Sequence, residues 1–300
     1  MSTTHILYFV VLSLFWGGSF LGIHYVVGGF PPAFGAFLRV LTAFLAVSFL
    51  MLFRPATKTR GHIKLQAMGA GVLNMGISWI LLFYGEQFVS PALCSIYNST
   101  STIFAAIFAP LVLIGARLSK KNIVGVAIGF AGILMVFGPH IGLDDLSQIK
   151  GQAAIIGMAI FYGLGVTWVK AFSADIRATR SLFYQCIGAL TVLGIYSAII
   201  EKPWTVNFSS VPASAWIGVL YLAICSTFIS WLIFIRLIRK LGAVRASSVT
   251  YLMPMVSIIL DIIVLKKIVL ATDIAGVLVI FMGVYLIHHG PVTQVDTKLT

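Results

Sequence analysis

The chain has 300 residues, of which 60% are hydrophobic and only 9% are charged, and its mean hydropathy is +1.05. A soluble domain carries about 25% charged residues, so this composition excludes an ordinary soluble domain and predicts a protein integral to a membrane. The formal net charge of +12 could suit a nucleic-acid partner. However, the basic residues lie almost entirely in the breaks between apolar stretches, where they act as a topology signal.

Apolar stretches of about 20 residues recur along the chain, which is the length at which an α-helix crosses roughly 30 Å of hydrocarbon. We expect an all-α integral membrane protein with ten transmembrane helices, at residues 5–27, 34–53, 63–86, 91–115, 121–138, 152–171, 181–200, 213–236, 245–265 and 272–289. The longest breaks, 139–151 and 201–212, are too short for a soluble domain. The function is therefore expected within the bilayer.

The loops at the two ends of these helices differ in basic charge. One set of loops holds 15 lysines and arginines, and the other set holds four, which are Lys150, Lys202, Lys266 and Lys267. By the positive-inside rule the richer set is cytoplasmic, which predicts that both termini are cytoplasmic. With no organelle presequence recognisable, we expect a bacterial inner membrane.

Comparison of the chain with itself reveals two similar halves whose matches occur in the same order. Residues 15–17 match residues 161–163 at an offset of 146, and Ile77-Ser78-Trp79 matches Ile229-Ser230-Trp231 at an offset of 152. The glycine pattern of 123–132 recurs in 274–283 at an offset of 151. We therefore expect two five-helix repeats, at residues 5–138 and 152–289.

Because five is an odd number, the second repeat is expected to enter the membrane with the opposite orientation to the first. This arrangement is an inverted-topology repeat, whose halves are related by a pseudo-two-fold axis in the membrane plane. Inverted halves can exchange conformations around a site near the bilayer midplane. The sequence thus predicts alternating access to a central site.

Three motifs point to a known family. The opening FWGGSF at 15–20, the arginine that ends the FLR of residues 37–39, and the glycine-rich IVGVAIGFAGILMV at 123–136 resemble motifs of the drug/metabolite transporter (DMT) superfamily, specifically its ten-span EamA-type permeases. The resemblance covers residues 5–289. It implies ten helices in two inverted five-helix repeats, and commonly the export of amino acids or other small metabolites.

Small polar residues form matching stripes in the third and eighth predicted helices. Asn74 and Ser78 lie four residues apart, hence on one helix face, and Ser226 and Ser230 are their counterparts. Polar side chains deep in a membrane helix are energetically costly, so two stripes at equal depth favour the lining of a substrate cavity. Hydrogen bonding between helices is the alternative, because small polar residues commonly serve it.

Aromatic residues also occur near the middle of the predicted helices, away from the headgroup regions where tryptophan and tyrosine usually lie. Trp16 with its counterpart Tyr162, and Trp79 with its counterpart Trp231, either line the same cavity or fill the core between helices. The fourth and ninth predicted helices add further candidates for the lining, which are Tyr97, Asn98, Ser101 and Tyr251.

Arg39 is the one charged residue of an otherwise apolar stretch, roughly 10 Å from the outer end of the second predicted helix. It either snorkels toward the headgroups or faces the bundle, where it needs a counter-ion. We hypothesise that Arg39 pairs with Asp261, or otherwise with Glu86, while an outer gate is closed, and meets a substrate carboxylate when the gate opens. Gln185 is its neutral counterpart in the second half.

The ionisable groups bear on two questions, whether transport is coupled to protons and which chemical class of substrate is moved. The candidates for proton coupling are Asp261, Glu86 and His24, none of which lies at the centre of a helix. The sequence is therefore compatible with either of two transport mechanisms, a facilitator or a proton exchanger. The central region contains rings and hydroxyls but no carboxylate, which favours an aromatic or neutral amino acid, a related zwitterion or an organic acid. Multidrug efflux of organic cations is the alternative. It is less favoured, because it usually requires a carboxylate beside the rings.

Other classes fit less well. An intramembrane hydrolase is disfavoured because no histidine lies at mid-depth in the span to act as a base for Ser19. A membrane protein without transport activity is the remaining alternative. No cofactor, metal or nucleic-acid partner is expected, and the expected partners are a small-molecule substrate and membrane lipids.

Overall fold

The computed structural model describes residues 3–53, 59–113, 119–137, 146–172, 176–266 and 270–289. The helices, in chain order, are α1 Thr3–Val27, α2 Pro32–Leu52, α3 Gly61–Gly85, α4 Pro91–Val112, α5 Lys120–Phe137, α6 Leu146–Phe172, α7 Ala178–Glu201, α8 Ala213–Leu241, α9 at 243–263 and α10 Ala271–His289. These described ranges contain no β-strand, so the predicted all-α class is confirmed.

Seven of these helices are long and apolar enough to cross a membrane, namely α1, α2, α3, α4, α6, α7 and α8. Two shorter apolar segments, Met253–Ile263 in α9 and Ala271–Gly283 in α10, accompany them. Each of the ten predicted stretches lies mainly on one of the described helices. The fold is that of an integral membrane protein, while the number of ten crossings stays a prediction.

The helices pack in a pattern that repeats between the two halves. Helix α1 packs against α8 and α9, and its counterpart α6 packs against α3 and α4. Helix α2 contacts α7 and α8, and its counterpart α7 contacts α2 and α3. Helices α5 and α10 pack mainly against each other. Each of these contacts therefore has an equivalent in the other half.

Equivalent helices run in opposite directions where they meet. The start of α2, at Ala33, contacts Glu201 at the end of α7. The start of α4, at Ala92, contacts Asp261 near the end of α9. Both pairs are therefore antiparallel.

Helices α5 and α10 are also antiparallel and come together through glycine. Gly132 of α5 lies against Gly276 of α10, whereas Gly129 lies against Gly283. Because the numbering rises along one helix as it falls along the other, the two helices run in opposite directions. The absence of side chains at these positions lets the two backbones approach closely.

Helices α3 and α8 change to π-helical geometry near their middle. The π segments are Val72–Ile77 and Leu222–Ile229. Ser78 and Ser230 directly follow these segments, and each donates a hydrogen bond of 2.7 Å to the backbone carbonyl five residues earlier. The serines thus bond carbonyl groups at equivalent positions of the two halves.

Helices α4 and α9 are interrupted near their middle, at Thr100 and at the 3-10 segment Ser248–Tyr251. The two interruptions touch, because the Ser99 hydroxyl donates to the Thr250 carbonyl oxygen at 3.0 Å. Irregular backbone inside a membrane is tolerated where protein groups satisfy it. The hydroxyl-rich sequence of α4 therefore has a structural role at this crossing.

Helices α3 and α7 approach so closely that glycine is required at their contact. A Cβ atom at Gly71 would overlap the Gln185 carbonyl, and one at Gly188 would overlap the backbone of α3. We predict that Gly71→Ala and Gly188→Ala each lower the apparent Tm of the purified protein, with the destabilisation of about 1–3 kcal/mol that overpacking causes. Gly69→Ala is the matched control, since a Cβ there has its nearest neighbour at 3.8 Å. Equal Tm values for all three variants would contradict this contact.

Candidate functional site

A cavity lies inside the bundle, where α1, α2, α3, α4, α6, α8 and α9 meet. The space open to the centres of water-sized molecules is about 30 Å³, which is room for about two waters. The cavity is lined by Trp16, Ser19, Phe20, Arg39, Trp79, Leu82, Asn98, Met158, Tyr162, Trp231 and Met253. Both halves of the chain contribute to it.

Aromatic rings form much of the cavity wall. The ring centroid of Trp231 lies 6.1 Å from that of Trp16 and 6.1 Å from that of Tyr162. Phe234 supports them from behind, with its centroid 4.8 Å from that of Trp16 and 5.6 Å from that of Trp231. Edge-to-face contacts of this kind stabilise ring orientation, so the wall is preorganised.

Arg39 borders the cavity with only 3% of its surface exposed. Its Nε donates to Thr227 Oγ1 at 2.8 Å, and its Cζ lies 3.8 Å from the ring centroid of Trp79. A guanidinium over an indole face gains cation–π attraction. Arg39 therefore faces the interior of the bundle and not the headgroups.

The π segment of α8 holds cavity side chains from the first half. Trp16 Nε1 donates to the Ser226 carbonyl at 2.8 Å, and the Ser226 hydroxyl donates to the Phe15 carbonyl at 3.2 Å. Next to it, Thr227 accepts from Arg39 and donates its own proton to the Leu222 carbonyl at 2.8 Å. This segment thus orients both Trp16 and Arg39.

Gln185, the counterpart of Arg39 in the other half, makes neutral contacts. Gln185 of α7 accepts from Asn74 Nδ2, in the π segment of α3, at 3.5 Å. Gln185 also donates to the Ser181 hydroxyl at 3.0 Å. Asn74 and Gln185 are both fully buried and lie outside the cavity lining. Arg39 and Gln185 thus hold equivalent positions, of which only that of Arg39 borders the cavity.

The structure brings together six of the residues that the sequence predicted for substrate binding, Trp16, Arg39, Trp79, Asn98, Tyr162 and Trp231. Seven others are buried elsewhere in the bundle, namely Asn74, Ser78, Tyr97, Ser101, Gln185, Ser226 and Ser230. The side chain of Tyr251 lies outside the described part of the structure. In this conformation the polar stripes serve hydrogen bonding within and between helices, which was the alternative interpretation of them.

Five lining residues were missed by the sequence analysis, Ser19, Phe20, Leu82, Met158 and Met253. The first four lie one helical turn from a predicted aromatic residue, so helical spacing could have identified them. Met253 follows the interrupted segment of α9. Most of these side chains are apolar and give no chemical signal of their own in an apolar sequence.

The predicted gating residues are distributed differently from the hypothesis. Asp261, the preferred partner of Arg39 in that hypothesis, accepts through Oδ2 from the backbone N–H of Ala92 at 3.1 Å and so caps the start of α4. Glu86 is buried at the end of α3. His24 lies in the last turn of α1 with its ring centroid 5.8 Å from that of its neighbour Tyr25.

A second carboxylate, which the sequence analysis missed, caps α2. Glu201 accepts from the backbone N–H groups of Ala33 at 2.8 Å and Phe34 at 2.7 Å. The residue before this helix, Pro31, offers no side-chain cap, so the cap comes from α7. Glu201 and Asp261, here called the acidic caps, both tie the second half of the chain to a helix N-terminus of the first half.

The opposite end of the bundle is basic. Arg180, near the start of α7, donates to the Thr59 hydroxyl at 3.0 Å. Arg239, near the end of α8, donates to the Ile176 carbonyl at 3.1 Å. Carboxylates therefore make hydrogen bonds between separate chain segments at one end of the bundle, and arginines make them at the other end.

Long apolar helices around a polar and aromatic cavity define an integral membrane protein with an internal site. The model of the EamA-like transporter family matches this chain twice, at residues 3–138 and 149–288. The chain therefore belongs to the EamA-like transporter family, within the DMT superfamily, and is a transporter.

Relatives of this chain carry the same general description. The uncharacterized transporter YyaM of Bacillus subtilis is 26% identical over 89% of this chain and 88% of its own. The uncharacterized inner membrane transporter YedA of Escherichia coli K12 is 26% identical over 94% of this chain and 92% of its own. A solved crystal structure with 16% sequence identity superposes with a TM-score of 0.69 over 95% of this chain and 96% of that chain, which shows the shared fold.

We predict that Glu201→Ala destabilises the protein, because it leaves the N–H groups of Ala33 and Phe34 without their acceptor. Loss of a helix cap costs about 0.5–2 kcal/mol, and this should lower the apparent Tm in detergent. Glu201→Gln retains one carbonyl oxygen and should give an intermediate Tm. Thr205→Ala, which removes an exposed loop hydroxyl, is the control. A Glu201→Ala protein as stable as this control would contradict the capping role.

Proposed function

We propose that this protein moves small metabolites across a bacterial inner membrane by alternating access, exporting aromatic or neutral amino acids, or related zwitterions and organic acids. The observation that carries the proposal is one guanidinium, Arg39, in an aromatic cavity whose described lining contains no carboxylate. Arginine binds carboxylates through charge-assisted hydrogen bonds, and aromatic walls favour a solute with an apolar body.

Efflux of organic cations is less well supported. Cation recognition uses an aromatic face that is free to receive the charge, usually with a carboxylate nearby. Here the Trp79 face is occupied by Arg39 itself at 3.8 Å. A second positive charge in the cavity would be repelled by Arg39, so an anionic or zwitterionic solute fits the electrostatics better.

The cavity is small in the conformation observed. A cavity with about 30 Å³ for the centres of water-sized molecules has room for about two waters, which is too little for an amino acid. Binding and release of a solute therefore require that helices around the cavity move apart.

Several observations support two inverted repeats. The helix contacts of one half are repeated in the other, and three pairs of equivalent helices are antiparallel where they meet. The π segments of α3 and α8 occupy equivalent positions. The family model also matches each half separately. These features support repeats at 5–138 and 152–289 in a ten-helix transporter.

The ends of the bundle support a direction for gating. The basic end carries Arg180 and Arg239, which the positive-inside rule assigns to the cytoplasm together with both termini. The acidic caps then lie at the outer end, where breaking them would open the cavity outward. Whether a proton accompanies the solute depends on Glu86, Asp261 or His24, and a facilitator that exports downhill is the simpler mechanism.

The experiment that tests the function is a flux screen. The purified protein is reconstituted into liposomes and tested with L-tryptophan, L-leucine, 3-phenylpropionate and a cationic dye, with protein-free liposomes as control. We expect saturable counterflow of the amino acids or the acid, and none of the dye. Flux of the dye alone would favour cation efflux, and the absence of any flux would contradict the proposed function.

A substitution at Arg39 tests the cavity. We predict that Arg39→Gln lowers the flux of a carboxylate solute by roughly 10- to 100-fold, because a charge-assisted hydrogen bond contributes about 1.5–3 kcal/mol. Arg39→Lys should lose most of the activity as well, since lysine has no planar fork. Lys150→Gln, which removes an exposed charge, is the matched control. Near-normal flux of Arg39→Gln protein that expresses like the wild type would reject the role.

Single-cysteine labelling tests the inverted topology. In a background without Cys94, Cys186 and Cys225, one cysteine is placed at Lys64, Lys240 or Lys202, all of which are exposed. We predict that cysteines at 64 and 240 react from the cytoplasmic side of the membrane, and that a cysteine at 202 reacts from the outside. Positions 64 and 240 on opposite sides would rule out inverted repeats.

A further inference from the structure

The hydrogen bond between Arg39 and Thr227 leaves one edge of the guanidinium for a solute. Arg39 donates through Nε to Thr227 at 2.8 Å, and within the described residues this is its one hydrogen bond. A guanidinium can grip a carboxylate in two bidentate ways, through Nε with one Nη or through both Nη groups. With Nε engaged, only the approach through both Nη groups remains.

Thr227 is itself held in place. Its hydroxyl has a single proton, which it donates to the Leu222 carbonyl at 2.8 Å, so toward Arg39 it acts as an acceptor. This hydrogen bond spans five residues and lies within the π segment Leu222–Ile229. Thr227 is fully buried, so water does not compete for it. The hydroxyl is therefore a fixed anchor for Nε.

Trp79 restrains the orientation of the guanidinium plane. The Cζ atom of Arg39 lies 3.8 Å from the centroid of the Trp79 ring, which restrains the guanidinium against that face. The hydrogen bond to Thr227 then restrains rotation within the plane. Together these contacts preorganise a fork that borders the cavity, and preorganisation raises affinity by reducing the ordering that binding requires.

We propose that Thr227 is a positioning residue of a carboxylate clamp, in which Thr227 and Trp79 hold Arg39 so that its two Nη groups receive the carboxylate of the solute end-on. This inference rests on the proposed transport function and adds to it the chemical group that the solute must carry. Gln185, the counterpart of Arg39 in the other half, has no charge and hydrogen-bonds with Asn74, so the clamp has no counterpart in that half.

The test compares acids with their amides. Binding to detergent-solubilised protein and counterflow in liposomes are both measured for 3-phenylpropionate with 3-phenylpropanamide and for L-tryptophan with L-tryptophanamide. The wild type should prefer each acid about tenfold or more. Thr227→Val removes the hydroxyl with little change in shape. It should raise the KM of the acids roughly tenfold and leave kcat within about twofold. The ratio of acid affinity to amide affinity should fall below that of the wild type.

Two controls separate positioning from folding. Thr227→Ser retains the hydroxyl and should restore the wild-type KM. Thr167→Val removes another fully buried hydroxyl, one that bonds the Leu164 carbonyl at 2.7 Å away from the cavity lining, and should behave like the wild type. Loss of protein stability in Thr227→Val without a change in acid preference would show a structural role only.

The outcomes distinguish the two proposals. Wild-type flux that Thr227→Val leaves unchanged in KM and in acid preference would overturn the clamp and leave the transport function standing. Equal binding of acid and amide to the wild type would also overturn the clamp, even if Thr227→Val did not fold. Selective binding of the acids without any flux would support the clamp and contradict transport of these solutes.

Discussion

Satisfying every backbone polar group without water is the constraint on which this fold depends. The regular helices meet it internally, but α3, α4, α8 and α9 depart from regular geometry near the cavity. There the hydroxyls of Ser78, Ser230 and Ser99 bond carbonyl groups. In this conformation these serine hydroxyls donate to backbone carbonyl groups and do not point to a solute. The irregular backbone in turn contributes to the shape of the site.

Burial of the Arg39 charge is the second constraint. A charged side chain in a membrane span is costly and persists where protein groups or a cavity solvate it. Here the hydroxyl of Thr227 and the face of Trp79 contribute to that stabilisation. The hydrogen bond that Arg39 donates within the described residues goes to a neutral hydroxyl, that of Thr227. The protein therefore keeps a cation beside an otherwise apolar wall, where an anionic group from outside stabilises it further.

The sequence predicted the helical class and the positions of the helices because apolar length is a local property. It also identified the aromatic pairs Trp16 with Tyr162 and Trp79 with Trp231, since their repetition in both halves marks equivalent places. It could not distinguish a serine that bonds its own helix from one that faces a cavity, because the two share the same spacing. The capping role of Glu201 was equally hidden, because it depends on the end of α7 meeting the start of α2 in space.

The two halves share a scaffold but differ in charge, and this difference bears on the mechanism. Two identical inverted halves would make the inward-open and outward-open states equal in energy by symmetry. Within the proposed mechanism, the acidic caps at Glu201 and Asp261 would break that symmetry, because they join helices at one end of the bundle. If each cap contributes about 0.5–2 kcal/mol, two of them shift the populations of the states by roughly 5- to 1,000-fold. On the proposed alternating-access mechanism, these two carboxylates favour a resting state closed at the acidic end, which the binding energy of a solute would have to offset.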